Sequence, residues 1–335
     1  MLNLLENVYQ GRHLNFEQAS CSFREVLKGD IEIPVVAAML AALKTKGETV
    51  EEIAGAAAAL RHEAQYFPPP QYSVSDCCGT GGDGLNTINV STLVSIVAAS
   101  AGVKIVKHGN RSVSSNCGSA DLMEQLGVNI NLSAAKSKEL LDSANFCFLF
   151  APEYHQGVKH VMPVRQSLKT RTIFNLIGPL ANPALPDVQL LGVYDEQYLE
   201  PFAEILKLLG TRKALIVHGS GLDEIAVHGQ TKAVSLNNGV ITMEELTPED
   251  FSAKRHSLSD IQTSKDIDNK TSAIKLLTGK GTEAHIDMVA VNSSALLVLN
   301  DLAGSYDDGY QIARDLIQSG KALQQLEKIK ELSHG

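Results

Sequence analysis

Two segments rich in glycine and hydrogen-bond donors flank one short apolar stretch of this chain. The first reads DCCGTGGDG over residues 76–84, and the second reads KHGNR over residues 107–111. Glycine lets the backbone approach a ligand that a Cβ atom would hold away. Ser91 or Thr92 can N-cap a helix over residues 93–101, whose first free N–H groups favour an anion. Together these features predict a binding site for a ligand rich in phosphate.

The glycine-rich segment by itself is compatible with ordinary turn chemistry as well as with phosphate binding. It lacks the Lys-Ser or Lys-Thr pair that closes a P-loop, and it fits the dinucleotide-binding fingerprint poorly. Further phosphate donors follow it, namely Asn89, Ser91, Thr92 and Lys107. Because several such donors occur together, we favour the phosphate site.

An acidic pair, Asp223-Glu224, follows a second glycine-containing turn. Adjacent carboxylates would repel a phosphate ligand unless Mg²⁺ lay between them. Mg²⁺ commonly takes one or two carboxylates together with phosphate oxygens and water. Taken alone, the pair fits a solvated acidic turn better. Beside a phosphate site it indicates bound Mg²⁺.

A basic segment, VMPVRQSLKTR, covers residues 161–171. Its Arg165 could offer a bidentate fork to a substrate carboxylate, or it could belong to the basic face of a solvated helix. His155 and His160 lack a carboxylate partner at metal-ligand spacing, so we predict no zinc site there. No nucleophile elbow occurs in the chain.

Composition limits the class of protein. The chain has 335 residues, 44% of them hydrophobic and 20% charged, which is typical of a globular protein. Its formal net charge of −9 argues against a nucleic-acid partner. Basic residues nevertheless cluster near the donor-rich segments, which suits a small anionic substrate. These residues are Lys107, Arg111, Lys159, Arg165, Lys169 and Arg171.

Targeting signals are not evident. The N-terminus lacks a basic segment followed by an apolar core, and no apolar run reaches the length of a membrane span. The five cysteines have no framework spacing, which predicts reduced thiols. We therefore expect a cytoplasmic protein without a membrane partner.

The first 65 residues predict helices only. Asn15 can cap a helix that reaches about Leu27, and Pro34 fits the first turn of a helix over residues 35–45. Thr49 opens a capping box. The prolines of residues 67–70 form a stiff connector. We expect a small all-helical domain over residues 1–70.

Beyond the connector, strands and helices alternate, which predicts a larger domain over residues 71–335 with an open, mainly parallel α/β sheet. The predicted strands are residues 103–106, 146–150, 190–194 and 214–217, with a β-like excursion over 232–242. The predicted helices are residues 120–126, 134–143, 196–209, 283–302 and 307–319. Loops after the strands should converge on one edge of the sheet. An inserted helical segment around residues 160–183 could rejoin the N-terminal helices.

These strings together resemble the anthranilate phosphoribosyltransferase family along essentially the whole chain. The matching strings are residues 79–83, 89–92, 107–115, 165–171, 175–183 and 223–224. The resemblance implies a fold like that of nucleoside phosphorylases and phosphoribosyltransferases, and typically a homodimer formed through the helical domain. It also implies transfer of the phosphoribosyl group from phosphoribosyl pyrophosphate to the amine of anthranilate.

The resemblance assigns roles residue by residue. It implies binding of phosphoribosyl pyrophosphate by Gly79, Gly82, Asp83, Thr87, Asn89, Ser91, Thr92, Lys107 and Ser119. It implies Mg²⁺ at Ser91, Asp223 and Glu224. Anthranilate would lie along His108, Asn110, Pro152, Arg165 and Gly178, with its carboxylate on Arg165. Lys107, His108 and Arg165 would take the catalytic roles, with His108 either a base or a wall of the site.

Two other functions share this architecture. A pyrimidine-nucleoside phosphorylase carries similar glycine and lysine loops, but it would need a pocket for a pyrimidine base in place of a carboxylate. A non-catalytic relative that binds nucleic acid would carry a basic groove. The net charge of −9 and the intact motifs disfavour the latter.

Overall fold

The chain begins with a group of packed helices. The computed structural model describes residues 2–82, 84–112, 117–263 and 268–335. The first helices are α1 (Leu2–Tyr9), α2 (Phe16–Lys28), α3 (Ile33–Lys46) and α4 (Val50–His62). Asn15 and Thr49 close capping boxes at α2 and α4, and Pro34 lies in the first turn of α3, which confirms the predicted starts.

A single sheet follows. The strands of the described residues are β1 (Ser75–Gly79), β2 (Ile105–Gly109), β3 (Phe146–Phe150), β4 (Val188–Gly192), β5 (Lys213–Gly219), β6 (Thr231–Asn237) and β7 (Val240–Leu246). Their order is β3-β2-β1-β4-β5-β6-β7. The pairs from β3 to β5 are parallel, while β6 and β7 are antiparallel. The open, mainly parallel sheet is confirmed, and the β-like excursion is a hairpin.

Further helices connect the strands and close the chain. They are α5 (Val90–Ser100), α6 (Ser119–Gln125), α7 (Ala134–Ala144), α8 (Ala151–Tyr154), α9 (Met162–Leu168), α10 (Ile173–Leu176), α11 (Leu199–Leu208), α12 (Leu258–Ile261), α13 (Asn269–Leu277), α14 (Glu283–Leu299), α15 (Tyr306–Gln318) and α16 (Lys321–Ser333). No described helix combines the length and apolarity needed to cross a membrane.

Each face of the sheet has its own core. Ile105, Leu190 and Leu215 face α5 and α14 on one side. Leu191 and Ile216 face α11 and the N-terminal helices on the other. The strand side chains alternate between the two faces, so the apolar runs of the sequence serve both cores.

The inserted segment packs on the N-terminal helices. Val161, Val164 and Phe174 are buried in the same core as α2 and α3. The rings of Phe174 and Phe23 meet edge to face with centroids 5.9 Å apart. The inserted segment is not one continuous helix, because α9 ends at Leu168 and Lys169 adopts a left-handed conformation.

Candidate active site at the carboxyl edge of the sheet

The glycine loop, residues 79–87, leaves β1 at the carboxyl edge. Its Gly81 N–H donates a hydrogen bond of 2.7 Å to Asp223 Oδ2. At the other end the Asn86 carbonyl accepts from both the N–H and the hydroxyl of Thr263, at 2.8 and 2.9 Å. Thr87 forms an isolated β-bridge with Gln262. Predicted residue Asp83 lies outside the described residues. The loop is thus held by segments far away in the chain.

The helix that follows the glycine loop begins earlier than the sequence predicted. Asn89 is the N-cap of α5, and its Oδ1 accepts from the Thr92 N–H at 3.4 Å. Ser91 and Thr92 therefore lie inside the first turn, which corrects the prediction that one of them caps the helix. Free N–H groups and the helix dipole make this turn favourable for an anion.

Lys107 lies beneath this turn. It belongs to β2, which continues to Gly109. The sequence predicted that the strand ends at residue 106 and that Lys107 lies in the following loop, so this prediction is corrected. Only 1% of its surface is exposed. Its Nζ donates to the Cys77 carbonyl at 2.7 Å and to Ser91 Oγ at 3.2 Å. The structure thus brings a buried ammonium to the helix start that carries the predicted phosphate donors.

The acidic pair lies against the glycine loop. Asp223 is nearly buried and touches the loop through Gly81. Burial raises the pKa of the Cys77 thiol to about 12, and the charge of Glu224 adds to this shift. Ser91 and the pair supply hydroxyl and carboxylate oxygens, the donor chemistry that Mg²⁺ takes.

His108 faces the other side of this edge. Its ring meets that of His155 edge to face, with centroids 5.0 Å apart. Burial, with the charge of His155 adding to it, holds the pKa of His108 well below its usual range. The backbone of Gly178 contacts His108 and opposes this shift. Burial likewise lowers the pKa of His155 to about 4. Both imidazoles are therefore neutral at pH 7.

The remaining predicted residues lie at the rim. Asn110 follows β2, and its carbonyl accepts from Ser119 Oγ at 3.4 Å. Pro152 is exposed in α8, directly after β3. Gly178 is exposed, with open space where a Cβ would stand. These positions leave room for a ligand at the ends of β2 and β3.

Arg165 lies on α9. Its guanidinium lies 5.8 Å from the centroid of the Phe174 ring, and burial lowers its pKa. Within the described parts of the chain the guanidinium makes no hydrogen bond and no ion pair. A half-buried guanidinium without a carboxylate partner suits an anionic ligand.

Comparison with known proteins identifies the family. Residues 71–323 match the glycosyl transferase family a/b domain, and residues 2–64 match the helical bundle domain of the same family. Anthranilate phosphoribosyltransferase of Pseudoalteromonas translucida is 49% identical over 99% of this chain and 93% of its own length. The enzyme of Tolumonas auensis is 47% identical over 98% of both chains.

Solved structures agree. The crystal structure of anthranilate phosphoribosyltransferase from Thermus thermophilus superposes with a TM-score of 0.93 at 37% identity over 99% of both chains. The Saccharomyces cerevisiae enzyme in complex with PRPP and Mg gives a TM-score of 0.88 at 29% identity, over 99% of this chain and 97% of the other. The chain belongs to the anthranilate phosphoribosyltransferase family. Its reaction is the transfer of the phosphoribosyl group from phosphoribosyl pyrophosphate to anthranilate.

The sequence analysis assigned no contact within this candidate site to several residues that hold its loops. Thr263 holds the glycine loop, and Arg171 donates to the Gly82 carbonyl at 3.1 Å. Asn292 of α14 bonds both backbone groups of Ile225, beside the acidic pair. The sequence carries no local signal for these roles, apart from the position of Arg171 within a matching string.

Proposed function

We propose that phosphoribosyl pyrophosphate binds at the glycine loop and the start of α5, and that anthranilate binds beside His108 with its carboxylate on Arg165. The observation that carries the proposal is the position of the Lys107 ammonium, 3.2 Å from Ser91 Oγ in the first turn of α5. The yeast relative solved with PRPP and Mg, and again with 4-fluoroanthranilate, supports both ligands. Gly79, Gly82, Asp83, Thr87, Asn89, Thr92 and Ser119 complete the proposed phosphoribosyl pyrophosphate site.

Charge stabilisation is the main contribution of the chain in this proposal. Breaking the bond from C1 to pyrophosphate builds negative charge on the leaving group and positive character on the ribose. The N–H groups of the glycine loop and of α5 would meet the negative charge together with Lys107. Lys107 is already fixed by its bonds to Cys77 and Ser91, so little reorganisation is needed when the charge develops.

Ser91, Asp223 and Glu224 are the proposed ligands of Mg²⁺. Their oxygen donors fit this ion, and the bond from Gly81 fixes the orientation of the Asp223 carboxylate. When bound, Mg²⁺ would neutralise charge on the pyrophosphate. The yeast relatives with bound Mg support Mg²⁺ as the metal.

The acceptor side needs positioning more than activation. The amine of anthranilate is uncharged at pH 7, so it can attack C1 once it is held in line. Arg165 would hold the carboxylate, while Asn110, Pro152 and Gly178 line the path. We propose that His108, a neutral imidazole at this pH, borders the acceptor. In that state it can accept a proton or only a hydrogen bond from the amine.

We further propose a division into residues 1–70 and 71–335 and a cytoplasmic homodimer formed through the N-terminal helices. Support for the dimer comes from α3, which buries Val36, Met39 and Leu40 on one face and leaves Ile33 53% exposed on the other. Such a helix, apolar all round, is typical of a buried one. The free cysteines are compatible with a reducing compartment.

The decisive assay follows anthranilate fluorescence with the purified protein, phosphoribosyl pyrophosphate and Mg²⁺. We expect a decay that EDTA abolishes and that releases one pyrophosphate per anthranilate consumed. A folded protein that leaves anthranilate unchanged but cleaves thymidine in the presence of phosphate would overturn the proposal in favour of a phosphorylase.

A further inference from the structure

Arg171 contacts the glycine loop but is not one of the proposed ligand-binding residues. It lies in the turn after α9, and its Nη2 donates to the Gly82 carbonyl at 3.1 Å. Gly82 has a φ of +84°. A Cβ at this position would also collide with Nη2 of Arg171. Glycine therefore serves both the backbone conformation and the approach of the guanidinium.

The Arg171 guanidinium also packs on the ring of Tyr194, whose backbone is hydrogen-bonded to the same loop. Its Cζ lies 4.0 Å from the centroid of the Tyr194 ring. The Tyr194 N–H donates to Thr80 Oγ1 at 3.0 Å, and the Thr80 N–H donates to the Gly192 carbonyl at 2.9 Å. Arg171 thus touches one end of the Thr80–Gly82 turn directly and the other end through Tyr194.

The backbone that carries Arg171 is held by the N-terminal helices. Lys44 of α3 donates from Nζ to Thr170 Oγ1 at 2.8 Å and to the Arg171 carbonyl at 2.7 Å. A continuous series of contacts therefore runs from α3 through Arg171 to the glycine loop.

We propose that Arg171 is a positioning residue that joins the N-terminal helices to the glycine loop and keeps the loop ready to bind the pyrophosphate of phosphoribosyl pyrophosphate. The proposal rests on the proposed function of that loop. A glycine-rich loop loses much conformational freedom when it binds a ligand, and contacts that order it beforehand lower this cost. A planar guanidinium can lie flat on a ring while its N–H groups donate in its own plane, a geometry that the ammonium group of lysine lacks.

The first test measures the loop without any substrate. In hydrogen–deuterium exchange of the whole protein, we expect the peptide that covers residues 79–88 to exchange at least about threefold faster in Arg171→Ala and Lys44→Met, because loop opening is no longer opposed. Arg255→Ala is the matched control, since the one ion pair of Arg255 among the described residues is with exposed Glu249. Unchanged exchange in Arg171→Ala would overturn the proposal.

The second test separates positioning from general stability. We expect Arg171→Ala and Arg171→Lys to raise the KM for phosphoribosyl pyrophosphate about tenfold, with the KM for anthranilate changed less than about twofold. Tyr194→Phe keeps the ring and should have both KM values of the wild-type protein. Tyr194→Leu removes the ring and should raise the KM for phosphoribosyl pyrophosphate as Arg171→Ala does, which gives a second test if Arg171→Ala folds poorly. Equal changes in the KM values for both substrates would contradict the proposal that Arg171 positions the glycine loop. A wild-type protein without transferase activity would refute the proposed function. The exchange experiment needs no substrate, so it would still show whether Arg171 orders the glycine loop.

Discussion

Three cationic side chains near the site are held in different ways. Lys107 is buried and bonded to Cys77 and Ser91. Arg111 is half-exposed and paired with carboxylates on α6. Arg165 is half-buried and carries no such partner among the described residues. A cation already paired with carboxylates gains less from a new anion, so Arg165 has the most to gain from a substrate carboxylate.

We predict that Arg165→Ala acts mainly on anthranilate. A charge-assisted hydrogen bond contributes about 1.5–3 kcal/mol, so its loss should raise the KM for anthranilate roughly 10- to 100-fold. The KM for phosphoribosyl pyrophosphate should stay within about twofold, because Arg165 makes no hydrogen bond or ion pair with the described residues of the glycine loop. Steady-state kinetics with each substrate varied in turn will measure both values.

The same kinetics on Arg165→Lys and Arg255→Ala provide the comparison. Lysine keeps the charge but not the fork, so an intermediate KM for anthranilate is expected. Arg255 lies on the surface in an exposed ion pair, and its loss should change neither KM. Parallel increases for both substrates in Arg165→Ala would rule out this division of roles.

The sequence located most of these residues because they occur in local strings, but it could not place each atom. It put the α5 cap at Ser91 or Thr92, whereas Asn89 caps the helix. All three residue types cap helices well, and the choice depends on where the backbone leaves the helical conformation. Arg171 and Thr263 contact main-chain carbonyls of the glycine loop, and only the folded chain reveals such pairings.

At the scale of elements, α14 fixes the acidic turn. Asn292 accepts from the Ile225 N–H at 2.9 Å and donates to the Ile225 carbonyl at 3.0 Å. A third bond ties it to the Met288 carbonyl of its own helix at 2.8 Å. Asn292 is 2% exposed, so water cannot replace these bonds. One buried amide thus sets the position of the residue that follows Glu224.

We predict that Asn292→Leu raises the Mg²⁺ concentration needed for half-maximal activity several-fold. The substitution keeps the volume but leaves the Ile225 N–H and carbonyl without partners, at a cost of about 1–3 kcal/mol each. Part of that cost can be relieved by a shift of the turn, which would move the carboxylates of Asp223 and Glu224. Mg²⁺ titration of activity and urea unfolding will measure the two effects.

The control for this variant lies at the far end of the same helix. Asn300 caps the carboxyl end of α14 and bonds Ser75, away from the acidic turn. Asn300→Leu should lower the free energy of unfolding without changing the Mg²⁺ titration. If the two variants shifted the titration equally, the effect would come from lost stability and not from the turn.

Apolar patterning predicted the strands whose side chains all face a core, such as β3 and β5. It missed β1, whose sequence SDCCG has two cysteines as its only apolar residues. The polar groups of β1 are satisfied by distant partners, Ser75 by Asn300 and Asp76 by Asn182. Hydrophobic periodicity cannot detect a strand stabilised in this way. Helix α16 also went unpredicted, and it starts at Gly320 without a capping side chain.

At the scale of the whole molecule, two buried groups give opposite pH dependences. His155 has a pKa lowered to about 4 by burial, so the unfolded chain takes up a proton first as the pH falls. Its stabilisation is present above about pH 6.5 and is lost towards pH 4. Burial raises the pKa of Asp76 to about 6, so its stabilisation is present below its ordinary pKa and is lost as the pH rises through 6.

We predict that His155→Gln reduces the loss of stability between pH 7.5 and pH 5 by up to about 2 kcal/mol, because glutamine does not titrate. Urea unfolding of both proteins at the two pH values will measure this difference. Asp76 is present in both proteins, so its own pH dependence cancels in the comparison. An unchanged loss in His155→Gln would show that His155 does not carry the effect.

The face of α3 that points away from the core is the surface at which we predict dimer formation. Ile33, Pro34, Ala38 and Ala41 are exposed there, at spacings that share one side of a helix. We predict a dimer in light scattering, and about half that mass for Ala38→Arg, because a buried arginine without a partner opposes association. Met243→Arg replaces an apolar side chain that is 67% exposed on edge strand β7, and it should leave the mass unchanged.

Both substitutions introduce an arginine at an exposed position, so the location of the interface should separate them. A monomeric wild type, or dissociation by Met243→Arg alone, would move the interface away from α3. Lys44 of the same helix holds the backbone of Arg171, which contacts the glycine loop. If α3 is ordered by the partner subunit, monomeric Ala38→Arg should also bind phosphoribosyl pyrophosphate more weakly. Its KM for that substrate should then be higher than the KM of the wild-type protein. A monomer that kept the wild-type KM would show that the contact with the glycine loop works within one chain.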